Sequence, residues 1–223
     1  TLPSPLLPGE TLYLSVVDEV TGLGLNPNNH AMQGMDTLHY SLSLAFPIGS
    51  VVKYRYIRQS SLPTQEDDFA DKVVRYRMYY ATAPGTVEDI IASWTDSLFA
   101  GAIGRITGTV LDAADGKPLT NILINVGGQQ TLTDSRGKYC IEGLPVGTQN
   151  LVAYALDGSY QTFQQGAIVM EDKTTPAKIS LSAATLVNVI FTVNVPENTI
   201  KNIPLRMAGN LSTLGNTYGD LDA

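Results

Sequence analysis

The stretch TDSRGKYCIEGLPVG, residues 133–147, decides how this chain folds. Ser135-Arg136-Gly137 supplies a turn, and glycine in third place offers the positive φ that a tight reversal needs. After it, Tyr139 and Ile141 alternate with Lys138, Cys140 and Glu142, the period of a strand with one buried face. Gly143-Leu-Pro-Val-Gly147 then turns the chain back. Strand, turn, strand, turn within fifteen residues is the grammar of a β-sandwich, so an all-β module is expected around it.

Working outward, strands are predicted over residues 105–110, 122–126, 138–141 and 150–154, punctuated by Asp115-Gly116 and Asp157-Gly158. Upstream, Leu38, Tyr40, Leu42, Leu44 and Phe46 share one face and leave His39, Ser41 and Ser43 on the other. Val52, Tyr54 and Tyr56 oppose Lys53 and Arg55. Val74, Tyr76, Met78 and Tyr80 read as a buried face, with Arg75 and Arg77 outside. Thr86 is a candidate N-cap, Asp89 completes a weak capping box, and Val87, Ile90, Ile91 and Trp94 have helical spacing, so one short helix is expected there.

The small-residue run Phe99-Ala-Gly-Ala-Ile-Gly104 marks a boundary. From Val187 a new alternating face begins, formed by Val187, Val189, Phe191, Val193 and Val195. The expected units are residues 1–102, residues 103–184, and residues 185–223 as the opening of a further unit. A chain of 223 residues suits about two such domains. At 43% hydrophobic and 16% charged residues it is composed to fold. The face from Val187 to Val195 is expected to pack as a strand, on an earlier module or on a second copy of the chain.

Charge and motif content exclude several functions. A formal net charge of −7 disfavours nucleic acid, which is held by Lys and Arg displacing counterions. No apolar run approaches the ~18 residues of a membrane helix. His30 and His39 stand apart from Cys140, the single cysteine, so zinc ligation lacks a donor set and no cofactor is assigned. Nucleophile-elbow and P-loop motifs are absent, Gly22-Leu-Gly24 reads as a loop, and Cys140 reads as a strand-face thiol. Glu66, Asp67, Asp68 and Asp71 read as a solvated acidic loop beside a basic stripe of Lys53, Arg55, Arg75 and Arg77.

Residues 104–182, with G-x-V at Gly108 to Val110 and the run at Thr133 to Gly147, resemble the carboxypeptidase regulatory-like, or transthyretin-like, domain. The resemblance implies a prealbumin-like sandwich. A related fold that hydrolyses a purine-degradation intermediate uses catalytic histidines, and this module has none. Residues 10–98, with LHYSLSL from Leu38 and VKYRYIR from Val52, are similar to starch-binding domains of the glucoamylase type. That similarity implies an α-glucan site in which His39 stands at the position of a stacking Trp and Arg55 at that of a hydrogen-bonding Lys; Phe69 is the one aromatic in the following loop. Residues 187–219, with FTVNVP from Phe191 and a turn from Met207 to Gly215, resemble the opening of another such domain.

The fold class expected is therefore all-β, a tandem of immunoglobulin-like and prealbumin-like β-sandwiches following one another like beads. The functional reading is a non-catalytic, carbohydrate-binding-like array of an extracellular or cell-surface bacterial protein, not an enzyme, with polysaccharide and neighbouring modules as partners. Its site residues are His39, Arg55 and Phe69, although His39 reads more readily as an ordinary surface residue and Trp94 as core rather than sugar platform. The alternatives are a structural spacer or adhesion stalk without a sugar site, and an accessory region of a carboxypeptidase or transporter. A stalk would require rigid contacts between modules, a sugar site an exposed aromatic pair.

Overall fold

The computed structural model describes residues 1–17, 27–97, 99–200 and 203–205. Every regular element among them is a strand. The N-terminal assembly contains β1 (Thr11–Val16), β2 (Asn28–Ala31), β3 (Gln33–Gly34), β4 (Tyr40–Ser41), β5 (Val51–Gln59), β6 (Thr64–Asp67), β7 (Arg77–Tyr80) and β8 (Ser93–Trp94). Its main sheet runs β2-β1-β5-β6-β8, and β7 also pairs with β5, taking the Val51–Tyr54 half of the edge whose Ile57–Arg58 half holds β6. A small β3-β4 ribbon lies beside it. Leu2, Leu12, Tyr54, Tyr56, Ile91 and Trp94 form the core, with Met32, Leu38 and Tyr40 closing over it.

The second assembly is a sandwich of β9 (Ile103–Asp112), β10 (Ile122–Val126), β11 (Gln129–Leu132), β12 (Lys138–Pro145), β13 (Gly147–Ala155), β14 (Phe163–Val169) and β15 (Thr174–Leu181). Its sheets run β11-β10-β13-β14 and β12-β9-β15. Alternate residues from both, including Ile106, Val110, Ile124, Val126, Tyr139, Ile141, Leu151 and Ile179, interdigitate in one core. At roughly 1.5–3 kcal/mol for each such side chain buried, this core is the main source of the module's stability. Gly137 sits at φ +70°, and a Cβ there would lie 2.5 Å from the Val110 carbonyl oxygen, so both backbone shape and space demand glycine in this turn. Tyr139 points inward as expected, and its hydroxyl donates to the Ala177 carbonyl at 2.7 Å.

Five local expectations fail. No helix follows Thr86, because the peptide groups that would bond within a helix are engaged elsewhere: the Ile90 carbonyl accepts from Arg77, the Asp89 carbonyl from the Thr1 amino group, and the Ile91 N–H donates to the Thr1 carbonyl. Of the face from Leu38 to Phe46, only Tyr40–Ser41 joins a ladder. Arg77 is not outside but buried, and Glu66 belongs to a buried strand rather than a solvated loop. Residues Val187 to Val195 form no strand and pack on neither assembly; all five apolar side chains of that face are exposed. The loop at Gly22-Leu-Gly24 and the turn from Met207 to Gly215 lie outside the described residues.

Candidate functional site

The most elaborate arrangement of side chains in the molecule lies between the two assemblies. β7 uses Arg77 and Tyr79 on the side of β5, so the backbone of Tyr76, Met78 and Tyr80 points away from its own sheet. An open strand edge of this kind normally faces water or recruits another strand. Here it lies across the outer face of β10, β13 and β14, and amide side chains take the place of a neighbouring strand. Asn125 is the centre: its Oδ1 accepts from the Met78 N–H at 3.2 Å and its Nδ2 donates to the Tyr76 carbonyl at 3.1 Å. Gln130 Nε2 donates to the same Tyr76 carbonyl at 3.3 Å, and Asn150 Nδ2 to the Met78 carbonyl at 3.0 Å. Gln164 completes the row, accepting from the Tyr80 N–H at 2.7 Å and donating to the Tyr80 carbonyl at 3.4 Å. Buried polar groups that lack partners cost about 1–3 kcal/mol each, so this satisfaction is what allows the edge to be covered.

Apolar contacts surround the amides. Val17, Tyr76 and Met78 from the first assembly meet Leu123 and Val152 from the second in a separate buried cluster. Met78 is 1% exposed and Val152 0%, values of a domain interior rather than of a hinge. Lys53 Nζ and the Arg75 guanidinium stand 5.2 Å and 5.5 Å from the centre of the Tyr76 ring. Two close approaches depend on glycine: a Cβ on Gly128 would meet Val74 at 2.6 Å, and one on Gly143 would meet Phe69 at 2.8 Å. The alternation over residues 74–80 is thus real, but its apolar face serves the second assembly and not the core of its own.

Arg77, one residue out of phase, turns the other way and enters the first assembly. Its Nη2 lies 2.8 Å from Glu66 Oε2 and its Nη1 3.2 Å from Asp89 Oδ1. Tyr54 and Tyr56 hydroxyls donate to Asp89 Oδ2 at 2.7 and 2.9 Å, and the Tyr56 N–H to Glu66 Oε1 at 2.9 Å. Burial pushes both tyrosines well above the usual phenol range, and the Asp89 charge adds to it. Burial works against the charge on Arg77 but is outweighed by Glu66 and Asp89, so the guanidinium stays protonated. The Arg77 and Glu66 side chains are 3% and 0% exposed, which closes Glu66 to solvent, whereas Asp89, at 7%, borders the groove beside His39. The network holds β5, β6, β7 and the 89–90 segment together.

The three residues nominated for sugar binding are not assembled into one site. His39 is exposed at the tip of a turn, its Nδ1 held by the Asp36 carboxylate at 2.8 Å. Two backbone N–H groups, of Leu38 and His39, also bind Asp36 and lower its pKa, with the His39 ring adding to the effect. The groove beside His39 is lined by Leu12, Met32, Tyr40 and Tyr56 and includes neither Arg55 nor Phe69. Arg55 lies on β5 in register with Ser15, its Nε buried without a hydrogen-bond partner, and desolvation lowers its pKa. Phe69 stacks edge-on against Phe99, ring centres 5.7 Å apart, beside Gly143 at the junction. Trp94 is core, 1% exposed, with the Arg58 guanidinium 5.3 Å from its ring centre. Cys140 is exposed on β12, and partial desolvation together with the Glu142 charge raises its pKa. Among the described residues no three His, Cys, Asp or Glu side chains are placed to hold a metal ion, and no helix is long and apolar enough to cross a membrane.

Nothing in the local residue pattern marks Asn125, Gln130, Asn150 and Gln164 as a set. The one trace of them is Ile122 to Val126, apolar at every position except Asn125, a pattern of a strand covered on both faces.

With the geometry established, the second assembly finds its relatives: residues 105–182 match the family described as Carboxypeptidase regulatory-like domain. The match covers the run at Thr133 to Gly147 and agrees with the resemblance read there, while the flanking starch-binding-like resemblance finds no such support. No curated protein matches the chain. Among solved structures, it is similar to GBS52, the minor pilin of Streptococcus agalactiae, at 13% identity over 85% of this chain and 88% of that one, with a TM-score of 0.33. It is also similar to Klebsiella pneumoniae 5-hydroxyisourate hydrolase, at 16% identity over 40% and 97% of the two chains (TM-score 0.28). A third similarity is to BcpA, the major pilin subunit of Bacillus cereus, at 10% identity over 78% and 60% (TM-score 0.32).

Proposed function

We propose that this chain is a non-catalytic structural spacer of an extracellular or cell-surface bacterial protein, in which residues 1–102 and 103–184 are two modules locked into one rigid body. The observation that carries the reading is the amide-capped edge of β7: Asn125, Gln130, Asn150 and Gln164 bind the backbone of a strand in the other module. Inter-module surfaces that permit motion are small and wet, whereas this one has a dry cluster and paired backbone groups. A spacer needs that rigidity. An α-glucan site would need aromatic faces gathered at one place, and His39, Arg55 and Phe69 stand on separate parts of the fold.

The test is small-angle scattering on the whole chain and on Val152→Asp, which places a charge in the interface cluster without touching the sandwich core. The natural chain is expected to scatter as one compact body and the variant as an extended ensemble. Matching flexible profiles from both would overturn the spacer reading, as would α-glucan binding that is lost in His39→Ala.

A further inference from the structure

The second module is entered and left by the strands β9 and β15, and these two are hydrogen-bonded neighbours running parallel. Their register is unbroken across eight Cα partners, from Thr174↔Arg105 to Leu181↔Asp112. Its ends are fixed by the Arg105 N–H donating to the Lys173 carbonyl at 3.2 Å and the Ala113 N–H donating to the Leu181 carbonyl at 2.9 Å. In a parallel ladder alternate residues turn toward the partner, so the odd-numbered residues of both strands carry the bonds. Pro176, which has no N–H, falls in the even set and faces the open edge, where nothing is lost.

Because the strands are parallel, the chain arrives at one end of the pair, at Ile103, and departs at the other, after Leu181. Tension between the two ends pulls β9 and β15 in opposite directions along their own axes. The ladder is then loaded in shear, all its bonds resisting together, and must break as a unit. A hairpin pulled at its open end yields one pair at a time. β9 cannot peel off instead, since β12 holds its other edge from Ile103 to Thr109. Ile106, Val110 and Ile179 lock the same strands into the core.

We propose that the β9–β15 ladder is a shear clamp, which makes this module a load-bearing element that carries tension along the chain. The tension rests on the spacer reading; the resistance follows from the ladder alone. The test is single-molecule force spectroscopy on the full chain held by its two ends. Residues 103–181 are expected to unfold in one step that lengthens the tether by about 25 nm, from the extended reach of a chain of that length. A second attachment uses cysteines at Val146→Cys and Met170→Cys in a Cys140→Ser background. Both positions are exposed, and they flank the Gly147↔Val169 pair that opens the β13–β14 hairpin. Force applied there unzips, and the module is expected to give way at severalfold lower force. Thr175→Pro, which removes an N–H facing β9, is expected to lower the end-to-end force, whereas Lys178→Pro, whose N–H faces the open edge, leaves it unchanged. Equal forces in the two attachments, or equal effects of the two prolines, would overturn the clamp. High end-to-end force from a chain whose scattering is flexible would instead overturn the spacer reading and leave the clamp standing.

Discussion

At the scale of the residue, Arg77 decides how the first module is put together. It alternates with Tyr76 and Met78 as a strand residue should, yet the side that receives it is the interior. An arginine is tolerated there because Glu66 and Asp89 neutralise it and the Ile90 carbonyl takes another N–H. Removing one member of such a group leaves charge without compensation, at a cost of about 3–5 kcal/mol. Arg77→Met is therefore expected to lower stability by about that amount in urea denaturation. Adding Glu66→Leu to it should recover part of the loss, since the second change removes an orphaned carboxylate. Strictly additive losses from Arg77→Met and Glu66→Leu would show that the two do not act as a pair.

At the scale of the element, β7 shows what a sequence reveals and what it hides. Period-2 alternation makes residues 74–80 legible as a strand, and turn chemistry makes the whole second sandwich legible, down to Tyr139 and Ile141 pointing inward. The same alternation cannot say which face meets which neighbour. Two buried faces, one against a charge network and one against another module, look like one apolar face and one solvated face when the buried polar side is arginine. The segment after Thr86 misleads for a related reason: helical spacing of Val87, Ile90, Ile91 and Trp94 arises from an irregular stretch whose backbone is bonded to distant groups. Of the candidate site, almost nothing was legible, because Asn125, Asn150 and Gln164 become a set only when β10, β13 and β14 lie side by side. Their joint role makes a specific expectation. Asn125→Ala leaves the Met78 N–H unpaired in a buried place and is expected to destabilise the chain by about 1–3 kcal/mol. Hydrogen exchange should localise the effect, with the Met78 amide losing protection while Ile124 and Val126 keep theirs. Protection lost evenly across β10 would mean that Asn125 supports the sandwich rather than the junction.

At the scale of the whole molecule, β7 lies across β10, β13 and β14, and among the described residues the apolar stretch that begins at Leu186 is left exposed. Among the described residues Leu181 ends the last strand, Ala183 makes one bridge to Tyr160, and the apolar side chains from Leu186 to Val195 are exposed. Val187, Val189, Phe191, Val193 and Val195 are 77%, 62%, 58%, 63% and 46% exposed, and Ile190 on the opposite side is 91% exposed. Each such side chain forgoes roughly 1.5–3 kcal/mol while it stays wet, and an extended backbone with free N–H and carbonyl groups can add to any open sheet edge. The chain supplies such edges itself in β11, β14, β12 and β15. A second copy is therefore a sufficient partner, and the chain is expected to associate with itself as concentration rises. Light scattering over a concentration series would report it, and Val189→Lys with Phe191→Asp, which charges the segment and leaves both cores untouched, should return the protein to a monomer. Association that persists in the double variant would assign the contact to another surface, and a natural chain that stays monomeric at high concentration would show that this apolar segment does not pair copies of the chain.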